Sequence, residues 1–252
     1  MKKAVIILCV LFVVFCSSCT KKVYCGKTAD ENILSTENYN VETYETGGGK
    51  SVDNCYNDDG NLEKAITRDK DGNVESFDIY EFNETGKVST LTKYNGDRTI
   101  DYYTEMKYDK LGNQIQSASY YADGKLKSLT INEYDENSKC VKTSNYDSDK
   151  KLEGYETFEY NEDGKQTKVT VYGSDSKLLQ CFEYAYDEND NLTSIKSYDS
   201  QMKVIESYTY EYNEKGNRIK ESHFDSEGKL TQYTLSKYDQ NGNFISKETI
   251  DA

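Results

Sequence analysis

Proline and tryptophan are absent from this chain, and histidine occurs once, at His223. Hydrophobic residues make up only 35% and charged residues 30%, which leaves little apolar material for a thick core. Such polarity usually means disorder. Disordered chains, however, are rich in proline and poor in aromatics, and this one has 24 Tyr, 8 Phe and no Pro. The composition therefore implies an ordered, thin, β-rich structure. A basic excess is also missing. The formal net charge of −14 repels nucleic acid and anionic headgroups, so no nucleic-acid partner is expected.

The one long apolar run lies at the start. Lys2 and Lys3 precede Ala4 to Phe15, a stretch too short to span a membrane as a mature helix, and Ser17 and Ser18 lead into Cys19. This pattern resembles a bacterial lipoprotein signal over residues 1–18, with Cys19 as the lipidated first residue. The resemblance implies a protein anchored by lipid in the cell envelope, outside the cytoplasm. Removal of residues 1–18 takes away Lys2 and Lys3 and no acid, so the charge moves from −14 to −16. Attachment then rests on the lipid, with Lys21 and Lys22 beside it. Residues 19–43 show little periodicity and are assigned to a tether. Residues 44–252 are assigned to a repeat domain, with Tyr44 and its triple glycine as a degenerate first repeat.

The repeat is marked by an anchor residue, usually aromatic, followed by Asp or Asn. The anchors run Tyr56, Arg68, Phe82, Tyr94, Tyr108, Tyr120, Tyr134, Tyr146, Tyr160, Tyr172, Tyr186, Tyr198, Tyr212, Phe224, Tyr238 and Ile250. Their spacing alternates 12 and 14 without a break, a period of 26. Asp or Asn follows every anchor except Tyr120 and Tyr172, and a glycine often stands four positions on. Asx-x-x-Gly fits a type I turn closed by a left-handed residue, the three-residue hairpin loop. Such a loop makes each anchor face the residue six positions later, as in Tyr56–Leu62, Phe82–Val88, Tyr120–Leu126 and Tyr186–Leu192.

The predicted fold is all-β: an antiparallel meander of about sixteen hairpin-connected strands in 12+14 repeats. Sixteen strands at ~4.8 Å span roughly 77 Å, and a twist of ~20° per strand turns the far edges by roughly 300°. A coiled single sheet or open roll is expected, not a flat sheet. A transmembrane barrel needs a continuous apolar outer band, which neither face offers. Both spacings are even, so even-numbered residues are expected to share one face throughout. The odd face then carries Phe77, Leu91, Tyr103, Ile115, Leu129, Val141, Tyr155, Val169, Cys181, Ile195, Ile219 and Tyr233 as an apolar stripe.

The segments YEFNETGK (80–87), FEYNEDGK (158–165), YAYDENDN (184–191) and YEYNEKGN (210–217) resemble the YD repeats of the RHS family of bacterial surface and toxin-delivery proteins. The likeness runs from residue 56 to 251. It implies a long coiled β-sheet and suggests carbohydrate as a ligand. The chain is too short to enclose a toxin, so the sheet is expected to carry over and the delivery function is not.

Chemistry-bearing constellations are few. His223 has no Cys, His or paired acid near it in sequence and is assigned a structural role. No phosphate loop, serine elbow or histidine metal motif occurs, and no cofactor or metal is expected. NDDGN (57–61) and DKDGN (69–73) are faintly like calcium loops but are already explained as turns. Cys140 and Cys181 fall three strands apart and are expected as free thiols, while Cys25 and Cys55 can pair in an oxidising compartment. No catalytic residue is assigned and the chain is expected not to be an enzyme. Candidate ligand-binding residues are Tyr184, Tyr186, Tyr208, Tyr210 and Tyr212, adjoining Lys196, Glu206 and Lys220. Rings beside polar groups suit a carbohydrate or protein ligand. The alternative is a purely structural envelope protein whose tyrosines are cross-strand glue. Tyr212 is predicted to face Arg218 as a cation–π pair.

Overall fold

The computed structural model describes residues 29–252. Cys19, Cys25 and the whole 1–28 segment lie outside the described residues. Seventeen strands follow one another: β1 (Asn40–Thr46), β2 (Lys50–Tyr56), β3 (Leu62–Arg68), β4 (Val74–Phe82), β5 (Val88–Asn95), β6 (Ile100–Tyr108), β7 (Gln114–Tyr121), β8 (Leu126–Tyr134), β9 (Cys140–Tyr146), β10 (Leu152–Tyr160), β11 (Gln166–Gly173), β12 (Leu178–Tyr186), β13 (Leu192–Tyr198), β14 (Val204–Tyr212), β15 (Arg218–Phe224), β16 (Leu230–Tyr238) and β17 (Phe244–Asp251). Each pairs antiparallel with its neighbours in sequence. The result is one open meander, not a closed barrel.

Backbone chemistry at the turns explains the Asx rule. In the first repeat hairpin Asn57 N–H donates to Asn61 O (3.0 Å) and Gly60 N–H to Asn57 O (2.9 Å). Asn57 Oδ1 accepts from the amides of Asp59 (3.1 Å) and Asn61 (3.0 Å). The same bonds recur at Asp69, so DKDGN is a turn of this kind. The turns at Tyr121 and Gly173 lack that side chain, and an Asp two positions on replaces part of it. Asp123 Oδ1 accepts from Lys125 N–H (3.0 Å), and Asp175 Oδ1 from Lys177 N–H (3.1 Å). Where glycine is missing, Arg98, Ser138, Lys150, Ser176, Asp190 and Met202 take the positive φ themselves.

The expected anchor pairs are present: Tyr56 faces Leu62, Phe82 faces Val88, Tyr120 faces Leu126 and Tyr186 faces Leu192. The parity rule is wrong. In every hairpin from β2–β3 onward a β-bulge follows the anchor pair and inserts one residue. Tyr56 faces Leu62 but Cys55 faces Lys64, so Glu63 is extra. An inserted residue reverses the alternation in the rest of the strand. Odd residues of β4 therefore share a face with even residues of β5, and Phe77 faces Tyr94. The expected odd stripe splits. Phe77, Tyr103, Leu129, Tyr155, Cys181 and Tyr233 lie on one face, while Leu91, Val169 and Ile195 lie on the other. Ile115, Val141 and Ile219 are bulge residues.

The two faces differ in packing. Among the described residues every buried side chain except Thr104 and Ser197 belongs to the Phe77 face. Phe77 and Tyr94 stack at 4.7 Å between ring centres, Tyr103 and Tyr120 at 5.1 Å, and Tyr155 and Tyr172 at 4.6 Å. Three anchors closing 12-residue spacings, Tyr94, Tyr120 and Tyr172, are thus stacked on rings of this face, each pair contributing about 0.5–1.5 kcal/mol beyond area burial, while Tyr146 faces Leu129, Tyr198 faces Cys181 and Phe224 faces Ser207.

Anchors closing the 14-residue spacings lie on the opposite face, here the Tyr208 face, and do something else. Each tyrosine donates its hydroxyl to a backbone carbonyl twenty residues earlier. The bonds are Tyr108 to Val88 O (2.8 Å), Tyr134 to Gln114 O (3.0 Å), Tyr160 to Cys140 O (2.7 Å), Tyr186 to Gln166 O (2.9 Å), Tyr212 to Leu192 O (2.8 Å) and Tyr238 to Arg218 O (3.1 Å). Successive repeats are stitched by this ladder, which requires tyrosine and not phenylalanine.

The segment from Ala29, assigned by composition to the tether, packs on the sheet. Cys55, Ile66 and Phe77 are 0% exposed, and Ala29, Ile33, Leu34 and Tyr39 lie against them. Lys64, only 4% exposed, donates to Ser35 O (2.7 Å) and lies 4.7 Å from the centre of the Tyr39 ring. Burial lowers its pKa. β1, four residues of which precede the expected domain start, is exposed along its length. Cys55, Cys140 and Cys181 are free thiols. Cys55 and Cys181 are buried and Cys140 is half-buried.

A candidate ligand-binding face

Register decides which side chains of the Tyr208 face meet. Across β10 to β14 one row runs Phe158, Val169, Phe182, Ser197 and Glu206. The next row runs Tyr184, Ile195, Tyr208 and His223 over β12 to β15, and Tyr210 faces Glu221 beside it. The rings and aliphatics of these rows are half-buried, neither covered nor fully exposed. The corresponding rows over β6 to β11 are mostly polar: Met106, Ser117, Thr130 and Asn145, then Asn132, Thr143, Glu156 and Val171. Thr130 bonds Asn145 (2.9 Å) and Thr143 bonds Asn132 (2.9 Å) there. A second group of rings lies on the same face over β4 to β7, where Tyr80 faces Leu91 and Tyr102 faces Tyr121, so the polar rows separate two aromatic stretches.

A groove of about 170 Å³ runs through the stretch over β12 to β15, lined by Phe182, Ile195, Ser197, Glu206, Tyr208, Tyr210 and Glu221. Tyr208 stacks on His223 at 4.6 Å and donates to Glu206 Oε2 (3.1 Å). His223 Nε2 is 2.9 Å from the same Oε2, and its Nδ1 is 3.0 Å from Thr231 Oγ1. Burial, then the bond to Glu206 and the charges of Glu206 and Glu221, push the Tyr208 phenol up. Burial does the same for Tyr210 and Tyr184. Residue types here supply ring faces and carboxylate acceptors. Among the described residues no three or more His, Cys, Asp or Glu gather as a metal site.

The five predicted tyrosines share this face but divide by role. Tyr184, Tyr208 and Tyr210 lie in the aromatic rows. Tyr186 and Tyr212 are rungs of the carbonyl ladder, and Lys165 covers the Tyr186 ring at 5.1 Å. Glu206 adjoins them as expected. Lys196 and Lys220 do not: they pair with Ser207 and Glu211 on the Phe77 face, because the bulges reverse parity. Lys220 forms an ion pair with Glu211 there at 2.9 Å. Tyr212 faces Arg218 in register, but the guanidinium lies over Tyr210, 5.2 Å from its centre, and 3.4 Å from Glu221. The Tyr212 hydroxyl is committed to Leu192 O, and Tyr210 offers its ring two residues away. Phe158, Val169, Phe182, Ile195, Glu221 and His223 were missed by sequence reasoning. Phe158 and Phe182 already fall on the even face; a one-residue offset per hairpin, absent from the parity rule, adds Val169, Ile195, Glu221 and His223. The acid that pairs with His223 is seventeen residues away in sequence and across one strand pair in space.

No protein-family model matches the chain, and no curated protein matches it. Solved structures similar to it include TcdB2-TccC3 (TM-score 0.34, 13% identity, covering 83% of this chain and 16% of that one). The Tc holotoxin pore of Photorhabdus luminescens is similar over 83% of this chain and 15% of that one (TM-score 0.32, 12% identity). A porin-like protein from Bacteroides uniformis is similar over 74% of this chain and 89% of its own (TM-score 0.37, 11% identity). The chain thus spans 15% to 16% of the length of the toxin chains. Likenesses at these scores carry no functional argument, so the site is read from its own residues.

Proposed function

We propose that the chain is a non-catalytic binding module, carried on a bacterial envelope by lipid at Cys19, and that the aromatic rows of β10 to β15 bind a glycan. One observation carries this reading. Rings and aliphatics gather on a half-exposed stretch of the Tyr208 face and there line a groove together with the carboxylates Glu206 and Glu221, whereas the repeats over β6 to β11 hold mostly Ser, Thr and Asn. Flat apolar ring faces flanked by Glu206, Glu221 and Ser197 suit the C–H faces and hydroxyls of sugar rings. The anchors need no ligand to explain them, but Tyr208 and Tyr210 are outside the ladder.

A second reading is favoured by the internal bonds of Tyr208. Its stack on His223 and its bond to Glu206 make it a structural strut. The double variant Tyr208→Ala with Tyr210→Ala separates the two. On a glycan array the binding reading requires signal from the parent and its loss in a variant that stays folded. A drop in melting temperature, with no glycan bound by either protein, supports the structural reading and sinks the binding one. Anchoring is tested separately: Cys19→Ser should shift the protein from the membrane to the soluble fraction.

A further inference from the structure

We infer that the groove between Phe182, Tyr208 and Tyr210 selects a glycan bearing a protonated amine, a deacetylated amino sugar in chemical class. This rests on the proposal that the Tyr208 face binds glycans, and it names the charge that face prefers. Three aromatic rings and two carboxylates, Glu206 and Glu221, line one small groove. Ring faces and carboxylates both attract cations, and together they exclude anionic sugars. The carboxylates are 40% and 34% exposed, so an incoming group can reach them. The hydrogen bonds of Tyr208 and His223 to the Glu206 carboxylate both fall on Oε2.

The protein's own chemistry shows the match. Arg218 places its guanidinium over Tyr210 (5.2 Å) and against Glu221 (3.4 Å), filling one end of the aromatic surface with an internal cation. An external ammonium is drawn by the same ring and carboxylate combination through Glu206, Tyr208 and Phe182. A groove of about 170 Å³ suits one sugar-borne amine, not a whole drug-sized ligand. The chain's net charge of −14 raises the local concentration of cationic ligands further.

The test compares two β-1,4-linked tetramers that share a ring and differ in charge: glucosamine and N-acetylglucosamine. Calorimetric titration of the full chain at low salt, below the amine pKa, should show the glucosamine tetramer binding about tenfold tighter, the effect of a desolvated cation–π contact. Glu206→Gln with Glu221→Gln should erase that ratio. Arg218→Gln removes the internal competitor and should raise it. Equal or tighter binding of the acetylated tetramer overturns the inference while leaving the glycan reading intact. A ratio that survives both glutamines also overturns it. If neither tetramer binds, the inference falls, and the glycan array decides the broader reading. Circular dichroism of each variant confirms that the sheet persists.

Discussion

Removing one hydroxyl from the carbonyl ladder is the sharpest test of this fold. Tyr160 donates to Cys140 O at 2.7 Å, whereas Tyr172 on the other face stacks on Tyr155 at 4.6 Å and needs only its ring. Phenylalanine keeps the ring in both places. Tyr160→Phe should therefore lose a hydrogen bond of ~0.5–1.5 kcal/mol, somewhat more where the carbonyl is left short of a partner. Tyr172→Phe should be close to neutral. Rungs sit two strands apart, roughly 10 Å, far enough for their effects to add. Replacing all six ladder tyrosines by phenylalanine then removes roughly 3–9 kcal/mol. That rivals the whole ~5–15 kcal/mol stability of a typical domain. The assay is urea unfolding followed by far-UV circular dichroism, with the denaturant slope checked for constancy, since repeat arrays can lose two-state behaviour. Equal costs for Tyr160→Phe and Tyr172→Phe would refute the division of anchors into hydrogen-bonding and stacking classes. So would a six-fold variant as stable as the parent.

Other consequences are as direct. Phe77→Ala empties a site that is 0% exposed and should cost about 3–5 kcal/mol in the same unfolding experiment. Gly154→Ala should destabilise more than Gly228→Ala. A Cβ at 154 meets Tyr172 O at 2.6 Å, while one at 228 meets nothing within 4 Å and faces only the strain of its positive φ. Alkaline pH should weaken the fold. Burial raises the phenols of Tyr108, Tyr134 and Tyr160; for Tyr198, burial and a bond to Glu183 raise it to about 12. A raised folded pKa gives stability that is whole below the unfolded value near 10 and is lost as pH climbs through the folded value. Acid should weaken it too: bonds from Asn243, Asn191 and Asn73 hold Asp239, Asp187 and Asp69 below the usual range. Their contribution is present above the unfolded pKa and is lost as pH falls through the depressed one. Melting temperatures measured from pH 2 to 12 check both limbs, and a flat profile at either end contradicts the corresponding assignment.

Local chemistry made much of this protein legible from its sequence. Asx-x-x-Gly turns are closed by bonds within five residues, so the hairpins, the 12+14 period and the anchor pairs such as Tyr56–Leu62 follow from the chain alone. The open antiparallel meander follows from them. What sits on which face does not. One extra residue after each anchor pair, Glu63 in the first repeat hairpin, reverses the alternation, and nothing in that residue's own chemistry announces it. The bulge alone decides that Phe77 meets Tyr94, that His223 meets Glu206 and Tyr208, and that Lys196 and Lys220 leave the aromatic rows for the other face. The tyrosine anchors that donate to a carbonyl twenty residues earlier all lie on the Tyr208 face, and those that stack on a ring, Tyr94, Tyr120 and Tyr172, lie on the other, so the face decides this too. The packing of Ala29 to Tyr39 over Cys55, Ile66 and Phe77 is tertiary as well. That segment has no repeat to reveal it, and only the apolar surface left open at that end of the sheet gives it a place to settle.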